Sequence, residues 1–283
     1  MILGNDVANW QGDINYDVYK NNSNFILFKS TEGVGYVDPK FKRNQSEARR
    51  VKLLLGYYHF ARPDLGNSGV QEADWFLSAL GEIKDGEMLT LDYEPSWSGD
   101  AVTWCKRFLD RVQEKTGVKP LIYLNQSQVK NYDWKPIVDA GYGLWIASYT
   151  GNPNDNTAEI GAWKFAAMQQ WTSLQTVPGI PSPSVDGDVF FGSEDAFKKY
   201  GYKRPPSSSV SPSPSSSSSS SPSPSESPSP SRSASPSMSP SPSQTSDESK
   251  IVRLTTIINS KWTWIGSKGW KVRLQQLKDI LYG

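Results

Sequence analysis

The sequence predicts an α/β fold, a barrel of eight strands, followed by a tether and a small second module. Three features of the 283 residues predict it: eight short apolar runs before residue 204, polar or amphipathic segments between the early runs, and a stretch at 205–249 that is almost entirely Ser and Pro. Branched and aromatic runs that alternate with helical patterns indicate β/α units on a parallel sheet, and eight such strands close into a barrel.

The strand candidates are residues 2–6, 25–29, 53–58, 88–92, 120–124, 143–147, 167–171 and 185–190. Helical segments fit at 39–52, 69–80 and 99–116, where polar, amphipathic or capped stretches separate the strand candidates. A regular barrel of this kind takes roughly 250 residues. With about 200 available, several later connections are expected to be loops in place of helices, and distortion is expected in the second half.

The Ser/Pro stretch cannot bury apolar surface, so a disordered, extended linker is expected at 205–249, with a reach on the order of 100 Å. Beyond it, residues 251–258 and 262–265 read as a strand, a turn and a strand. Trp270, Leu274, Leu277 and Leu281 then share one helix face. Thirty-four residues hold too little core to stand alone, so self-association or folding against a target is expected.

Charge divides the same way. Residues 250–283 carry seven basic side chains against Asp279, whereas the first 204 residues carry 22 basic and 25 acidic groups. The tail is cationic and the main domain mildly acidic, but over the chain 30 basic groups nearly cancel 29 acidic ones, so the average gives no reason to expect a nucleic-acid partner. Three roles suit the tail: binding anionic polymers and glycans through Trp262, Trp264, Trp270 and the lysines; oligomerisation through the Trp270 to Leu281 face; or membrane-surface contact. They are ranked in that order.

Cys105 is the only cysteine and His59 the only histidine. This excludes a disulfide framework, Cys/His zinc clusters and a Cys-His nucleophile, and with them zinc amidases and cysteine peptidases. Cys105 reads as a core residue of its helix. His59, in Tyr57-Tyr58-His59-Phe60, reads as structural or sugar-contacting, not as a base. No metal or cofactor is called for. The N-terminus lacks a signal-peptide pattern, and no apolar run of about 18 residues suits a transmembrane segment.

Acids mark the strand ends: Asp6 at the first, Asp92 and Glu94 at the fourth, Asp186 and Asp188 at the last. In Leu91-Asp92-Tyr93-Glu94-Pro95 one residue separates the carboxylates, so an extended backbone directs both to the same side. Close acids repel, leaving one protonated donor beside one ionised group. That division suits cleavage of a glycosidic bond, where the leaving oxygen needs a proton and the oxocarbenium-like carbon needs negative charge or a nucleophile. Trp10, Tyr58, Tyr123, Trp145 and Trp171, with Tyr93, offer flat faces for sugar rings, and His59, Gln170 and Asp188 complete the candidate substrate-binding set. Each of these alone also has an ordinary reading: Asp6 as a turn cap, Asp188 as a surface acid, the aromatics as core.

Taken in order, the motifs resemble glycoside hydrolase family 25, the lysozymes of bacteriophage endolysins and some bacteria and fungi. The resemblance covers roughly residues 1–200. It runs through Asp6-Val7-Ala8-Asn9-Trp10-Gln11-Gly12, Phe28-Lys29-Ser30-Thr31-Glu32-Gly33 with Tyr36 and Asp38, and Gly56-Tyr57-Tyr58-His59-Phe60. Leu91-Asp92-Tyr93-Glu94, Leu121-Ile122-Tyr123, Leu144-Trp145-Ile146-Ala147, Gln169-Gln170-Trp171 and Val185-Asp186-Gly187-Asp188-Val189-Phe190 follow.

The resemblance implies a distorted TIM-like (β/α) barrel with eight strands and about five helices, and N-acetylmuramidase activity on bacterial peptidoglycan. It implies Glu94 as general acid/base with Asp92 as its partner, and Asp6 and Asp186 completing an acidic floor. Substrate-assisted attack by the 2-acetamido group, with net retention, is preferred to attack by a carboxylate. It also implies a phage enzyme made in the host cytoplasm and released to the wall by a holin. A chitinase is disfavoured because Glu87-Met88-Leu89-Thr90-Leu91 lacks the additional acids of that class before the catalytic pair. A catalytically inactive peptidoglycan-binding module is disfavoured by the retained carboxylates. Ala8 and Asn9 stand where the family often has Ser or His, and residues 250–283 match no known wall-binding repeat.

Overall fold

Along each strand, alternate side chains point to opposite faces, and this parity sorts the sequence into a barrel interior and an outer core. The computed structural model describes residues 1–203; the linker expected at 205–249 and the module at 250–283 lie outside the described residues. The strands are β1 (Ile2–Val7), β2 (Phe25–Glu32), β3 (Tyr36–Val37), β4 (Leu54–Phe60), β5 (Met88–Asp92), β6 (Leu121–Asn125), β7 (Leu144–Ala147), β8 (Met168–Gln175) and β9 (Val185–Phe190). Eight of them close into one barrel, in the order β1-β2-β4-β5-β6-β7-β8-β9 and back to β1. The short β3 only folds back on β2, Thr31 opposite Val37.

Seven strands are parallel to their neighbours, and β9 runs antiparallel to both β8 and β1. The barrel is therefore mixed, where the sequence pattern pointed to parallel strands throughout. The reason lies in the 176–184 connection: a parallel return takes a crossover of a dozen or more residues, whereas a chain this short folds back as a hairpin. The reversal matters for chemistry. The acids of the other strands sit at C-terminal ends, but on β9 the same end of the barrel is reached by the N-terminal residue Asp186, which lies opposite Asp6.

Inward positions form two levels. The lower is apolar: Ile2, Phe25, Leu27, Met88, Leu121, Met168 and Phe190 pack together. Phe197 closes it from below, with its ring centroid 5.2 Å from Phe25 and 5.3 Å from Phe190. Gly4 is required here, because a Cβ on it would lie 2.4 Å from the Phe25 carbonyl oxygen and 2.6 Å from its ring. The upper level is polar and aromatic, and includes Asp6, Asp92, Tyr123, Trp145 and Gln170. Outward residues such as Ile26, Phe28, Tyr57, Leu91, Ile122 and Ile146 pack against the helices.

Seven α-helical segments surround the strands among the described residues: α1 (Tyr16–Tyr19), α2 (Phe41–Arg50), α3 (Gly69–Leu80), α4 (Ala101–Thr116), α5 (Gln126–Asn131), α6 (Lys135–Asp139) and α7 (Glu194–Tyr200). The three long ones, α2 to α4, occupy the segments expected from the pattern. Ser68 caps α3 by accepting from the Gln71 amide while Gln71 bonds back, and Asp100 caps α4 by accepting from Thr103. The rest are short turns of helix. After β7 the expected distortion appears, since residues 148–167 lead into β8 with no helix at all.

Candidate active site

Parity builds the site. On β5 and the residues after it, Tyr93 turns outward against Trp104 and Trp134, with ring centroids 6.3 and 6.1 Å away. Asp92 and Glu94, one position to either side, therefore share the inward phase. The segment is held by its backbone: Ala61 donates to the Asp92 carbonyl at 2.9 Å, Tyr93 to the Tyr123 carbonyl at 3.1 Å, and Gln128 Nε2 to the Glu94 carbonyl at 2.9 Å. Asp92 is 3% exposed, and Glu94 is half-buried beyond the strand end.

Strand register brings the other groups beside them. Asp92 lies between Phe60 and Tyr123, Tyr123 beside Trp145, and Gln170 beside Asp188. Gln170 is the hub. Its Nε2 donates to Asp6 Oδ2 at 2.6 Å, and its Oε1 accepts from Tyr123 and Tyr149, each at 2.9 Å. Burial pushes the Tyr123 phenol well above its ordinary pKa, and the charges of Glu94, Asp92 and Asp6 push the same way. Tyr123 thus keeps its proton and donates it to Gln170, within reach of the charges of all three acids. A cleft with this lining can hold a polar ligand, give it a proton and support developing positive charge.

The sequence-derived substrate set divides by depth. Trp10 is half-exposed on the 3-10 turn at Asn9–Gln11, and that turn is fixed by Asp38, whose Oδ2 accepts from the Asn9 amide at 2.9 Å. Trp171 is partly exposed, at the irregularity in β8. Both rings are accessible, but Trp171 follows the inward Gln170 and lies against the outer side of β9, where a Cβ on Gly187 would meet its ring at 3.1 Å. Tyr58, Tyr123 and Trp145 are floor, their rings packed edge to face, with the Trp145 centroid 6.4 Å from Tyr58 and 4.7 Å from Tyr123. Asp186 is partly exposed beside Asp6.

His59 and Asp188 do not line the groove. Because Tyr58 points inward, His59 points outward. It is fully buried, stacked on Phe108 at 5.0 Å, with Nδ1 bonded to Thr31 Oγ1 and Nε2 to Glu72 Oε2, each at 2.8 Å. Burial holds its pKa below the ordinary value despite the Glu72 carboxylate, so it is a neutral strut between the barrel wall and α3. Asp188 is also fully buried, beneath the floor and not on it.

Sequence reasoning passed over Tyr149, Lys29, Glu32 and Arg62. Tyr149 is more than half exposed, and its hydroxyl reaches the Gln170 hub; its signal was position, two residues beyond Ala147 in the inward phase. Lys29 continues the inward phase of Phe25 and Leu27. Its Nζ lies 4.8 Å from the Phe60 ring centroid and pairs with Glu32, which also accepts from Arg62 at 2.8 Å. Burial works to raise the Glu32 pKa, but Lys29 and Arg62 outweigh it and hold the carboxyl low. Among the described residues no group of three or more His, Cys, Asp or Glu side chains is placed to hold a metal ion, and no helix is long and apolar enough to cross a membrane.

Comparison with known proteins agrees with this geometry. The sequence profile of Glycosyl hydrolases family 25 matches residues 5–180. Lysozyme M1 of Streptomyces globisporus is 30% identical over 211 residues, 68% of each chain. The crystal structure of the bacterial lysozyme from Streptomyces coelicolor superimposes with a TM-score of 0.61 at 27% identity, covering 71% of this chain and 96% of that one. The catalytic domain of endolysin ply40, from bacteriophage P40 of Listeria monocytogenes, gives 0.55 at 26% identity, covering 71% and 97%. A closed mixed barrel with its acids gathered at one end, matched by the family profile across most of its length, places this chain in glycosyl hydrolase family 25.

Proposed function

We propose that the chain is an N-acetylmuramidase, a lysozyme that hydrolyses the β-1,4 bond between N-acetylmuramic acid and N-acetylglucosamine in bacterial peptidoglycan. The observation that carries this reading is the gathering of Asp6, Asp92 and Glu94 about the Tyr123–Gln170 hydrogen bond at one end of the barrel. Family membership supplies the reaction class, and likeness to chains named lysozyme and endolysin supports the substrate.

In this reading Glu94, half-buried at the cleft wall, protonates the departing glycosidic oxygen. The 2-acetamido carbonyl oxygen of the sugar attacks the anomeric carbon as that bond breaks. Asp92 accepts from the acetamido N–H and offsets the positive charge that develops on it. Glu94 then takes a proton from water, whose oxygen opens the cyclic intermediate from the opposite face, so configuration is retained. Asp6 and Asp186 make the floor electronegative, which favours the oxocarbenium-like transition state. Trp10 gives a stacking face at the rim, while Tyr58, Tyr123, Trp145 and Gln170 shape the floor.

The biological setting that fits is a phage endolysin, made in the host cytoplasm and reaching the wall after holin-type release. The cationic segment 250–283 would hold it on anionic wall polymers. Digestion of purified peptidoglycan, with the new ends identified by mass spectrometry, tests the bond assignment. Reducing ends on N-acetylmuramic acid support it. Reducing ends on N-acetylglucosamine, free amines without reducing ends, or binding without cleavage would each remove it.

A further inference from the structure

Asp188 is a carboxyl group with no exposure, set among other acids at the level below the cleft floor. Register places it opposite Gly4 on β1 and Gln170 on β8, one inward step deeper than the facing pair Asp6 and Asp186. Trp145 Nε1 donates to its Oδ1 at 2.9 Å. Its Oδ2 is buried with no N–H or O–H donor directed at it, and the Asp6 carboxyl, one inward step away on the paired strand, bears on it with like charge. Two carboxyl groups so placed can share a hydrogen bond only when one of them carries the proton.

The surroundings decide which one. Asp6 Oδ2 already accepts from Gln170 Nε2 at 2.6 Å, a bond that favours the ionised form. Asp188 is enclosed, and the charges that bear on it most are those of Asp6 on β1 and Asp186 on its own strand, with the Tyr19 phenol of α1 also within its electrostatic reach. None of these is a cation. Burial, followed by the charges of Asp6 and Asp186, pushes the Asp188 carboxyl well above the ordinary carboxylate range.

We infer that Asp188 is a positioning residue: it stays protonated and donates its proton to Asp6, so that Asp6 is gripped from below by Asp188 and from the side by Gln170 while remaining ionised. The inference rests on the muramidase reading only for its consequence in turnover. Asp188 touches no substrate and acts through Asp6. Its hydroxyl form does the work, so an amide in its place serves equally well: the Asn Nδ2 donates to Asp6 and the Asn Oδ1 accepts from Trp145.

The test combines a spectrum with turnover. Infrared difference spectra of the full chain against Asp188→Asn, with aspartate carbon labelled, should show a protonated carboxylic-acid C=O band at neutral pH that is missing from the variant. In peptidoglycan digestion Asp188→Asn should stay within about twofold of wild type, whereas Asp188→Ala should fall roughly tenfold to a hundredfold, the scale of losing a bond to a charged group. Raising the pH should inactivate wild type before Asp188→Asn. No lost C=O band, or an Asp188→Asn enzyme as impaired as Asp188→Ala, would overturn the proposal. The spectrum does not depend on activity, so it decides the protonation state even if the chain proves not to cleave muramyl bonds. If Asp188→Ala fails to fold, the Asn variant and the spectrum still decide.

Discussion

A single amide, Gln170, joins the parts of the site that come from separate strands. It satisfies two tyrosine hydroxyls and one carboxylate, and a buried polar group left without its partner costs about 1–3 kcal/mol. Gln170→Leu is expected to lower kcat roughly tenfold to a hundredfold with KM nearly unchanged, because Asp6 loses its lateral donor while Trp10 stays at the rim. Tyr149→Phe leaves Tyr123 on the hub and should cost less than about threefold. Steady-state kinetics on soluble glycan fragments separate the two; equal losses would show that the hub does not organise the cleft.

His59 yields a stability prediction of definite sign. Its folded pKa lies below the ordinary value of about 6.5, chiefly through burial. The unfolded chain therefore binds a proton that the folded protein refuses, and stability falls as pH drops below about 6.5 toward the folded pKa. Melting temperatures measured through that range should decline with acidification, and His59→Gln should flatten the His59 share of the slope. The residue also shows what sequence reading resolves. Read from the sequence as structural or sugar-contacting, it takes the structural role and points away from the groove, because Tyr58 takes the inward position and adjacent strand residues cannot share a face. The same rule puts Asp92 and Glu94 in one phase, since their spacing of two is local information. The approach of Asp6, Asp188 and Gln170 joins positions more than 160 residues apart, and no local pattern encodes it.

At the level of elements, the sequence contained more than composition alone suggests. All eight barrel strands stand where branched and aromatic runs place them, because burial on both faces of a barrel wall demands nearly continuous apolar stretches. The three long helices stand out by their amphipathic patterns, and α3 and α4 also by the capping side chains Ser68 and Asp100. The direction of β9 was not read, although the brevity of the 176–184 connection carries it. Small helical turns such as α5 and α6 escaped because four to seven residues hold too little periodicity. Packing inside the barrel also makes a prediction. Gly4→Ala drives a Cβ against the Phe25 backbone and should destabilise by ~3 kcal/mol, since the strand pair has nowhere to move. Gly117→Ala meets open space and only the strain of a φ of 73°, about 1 kcal/mol. Denaturant titration compares them; equal losses would mean that conformation, not crowding, governs both sites.

For the whole molecule, the division of charge between residues 1–204 and 250–283 is the basis of the proposal that cutting and holding belong to separate segments. A chain ending at Lys203 contains every residue assigned to the cleft. It is expected to hydrolyse soluble peptidoglycan fragments at nearly the full rate but to lose salt-sensitive retention on intact walls, as a cationic anchor on an anionic polymer requires. Sedimentation with purified walls across a salt series measures this, and unchanged retention would assign the basic segment another role. The central claim concerns the barrel and one carboxyl group. Its most direct test is the rate at which Glu94→Gln releases N-acetylmuramic acid reducing ends from peptidoglycan, with folding confirmed by melting temperature. The account predicts a loss of about 10²–10⁴-fold at an unchanged melting temperature, the range expected when a general acid is removed; a variant that cuts at the wild-type rate would show that the proton comes from elsewhere and contradict the mechanism.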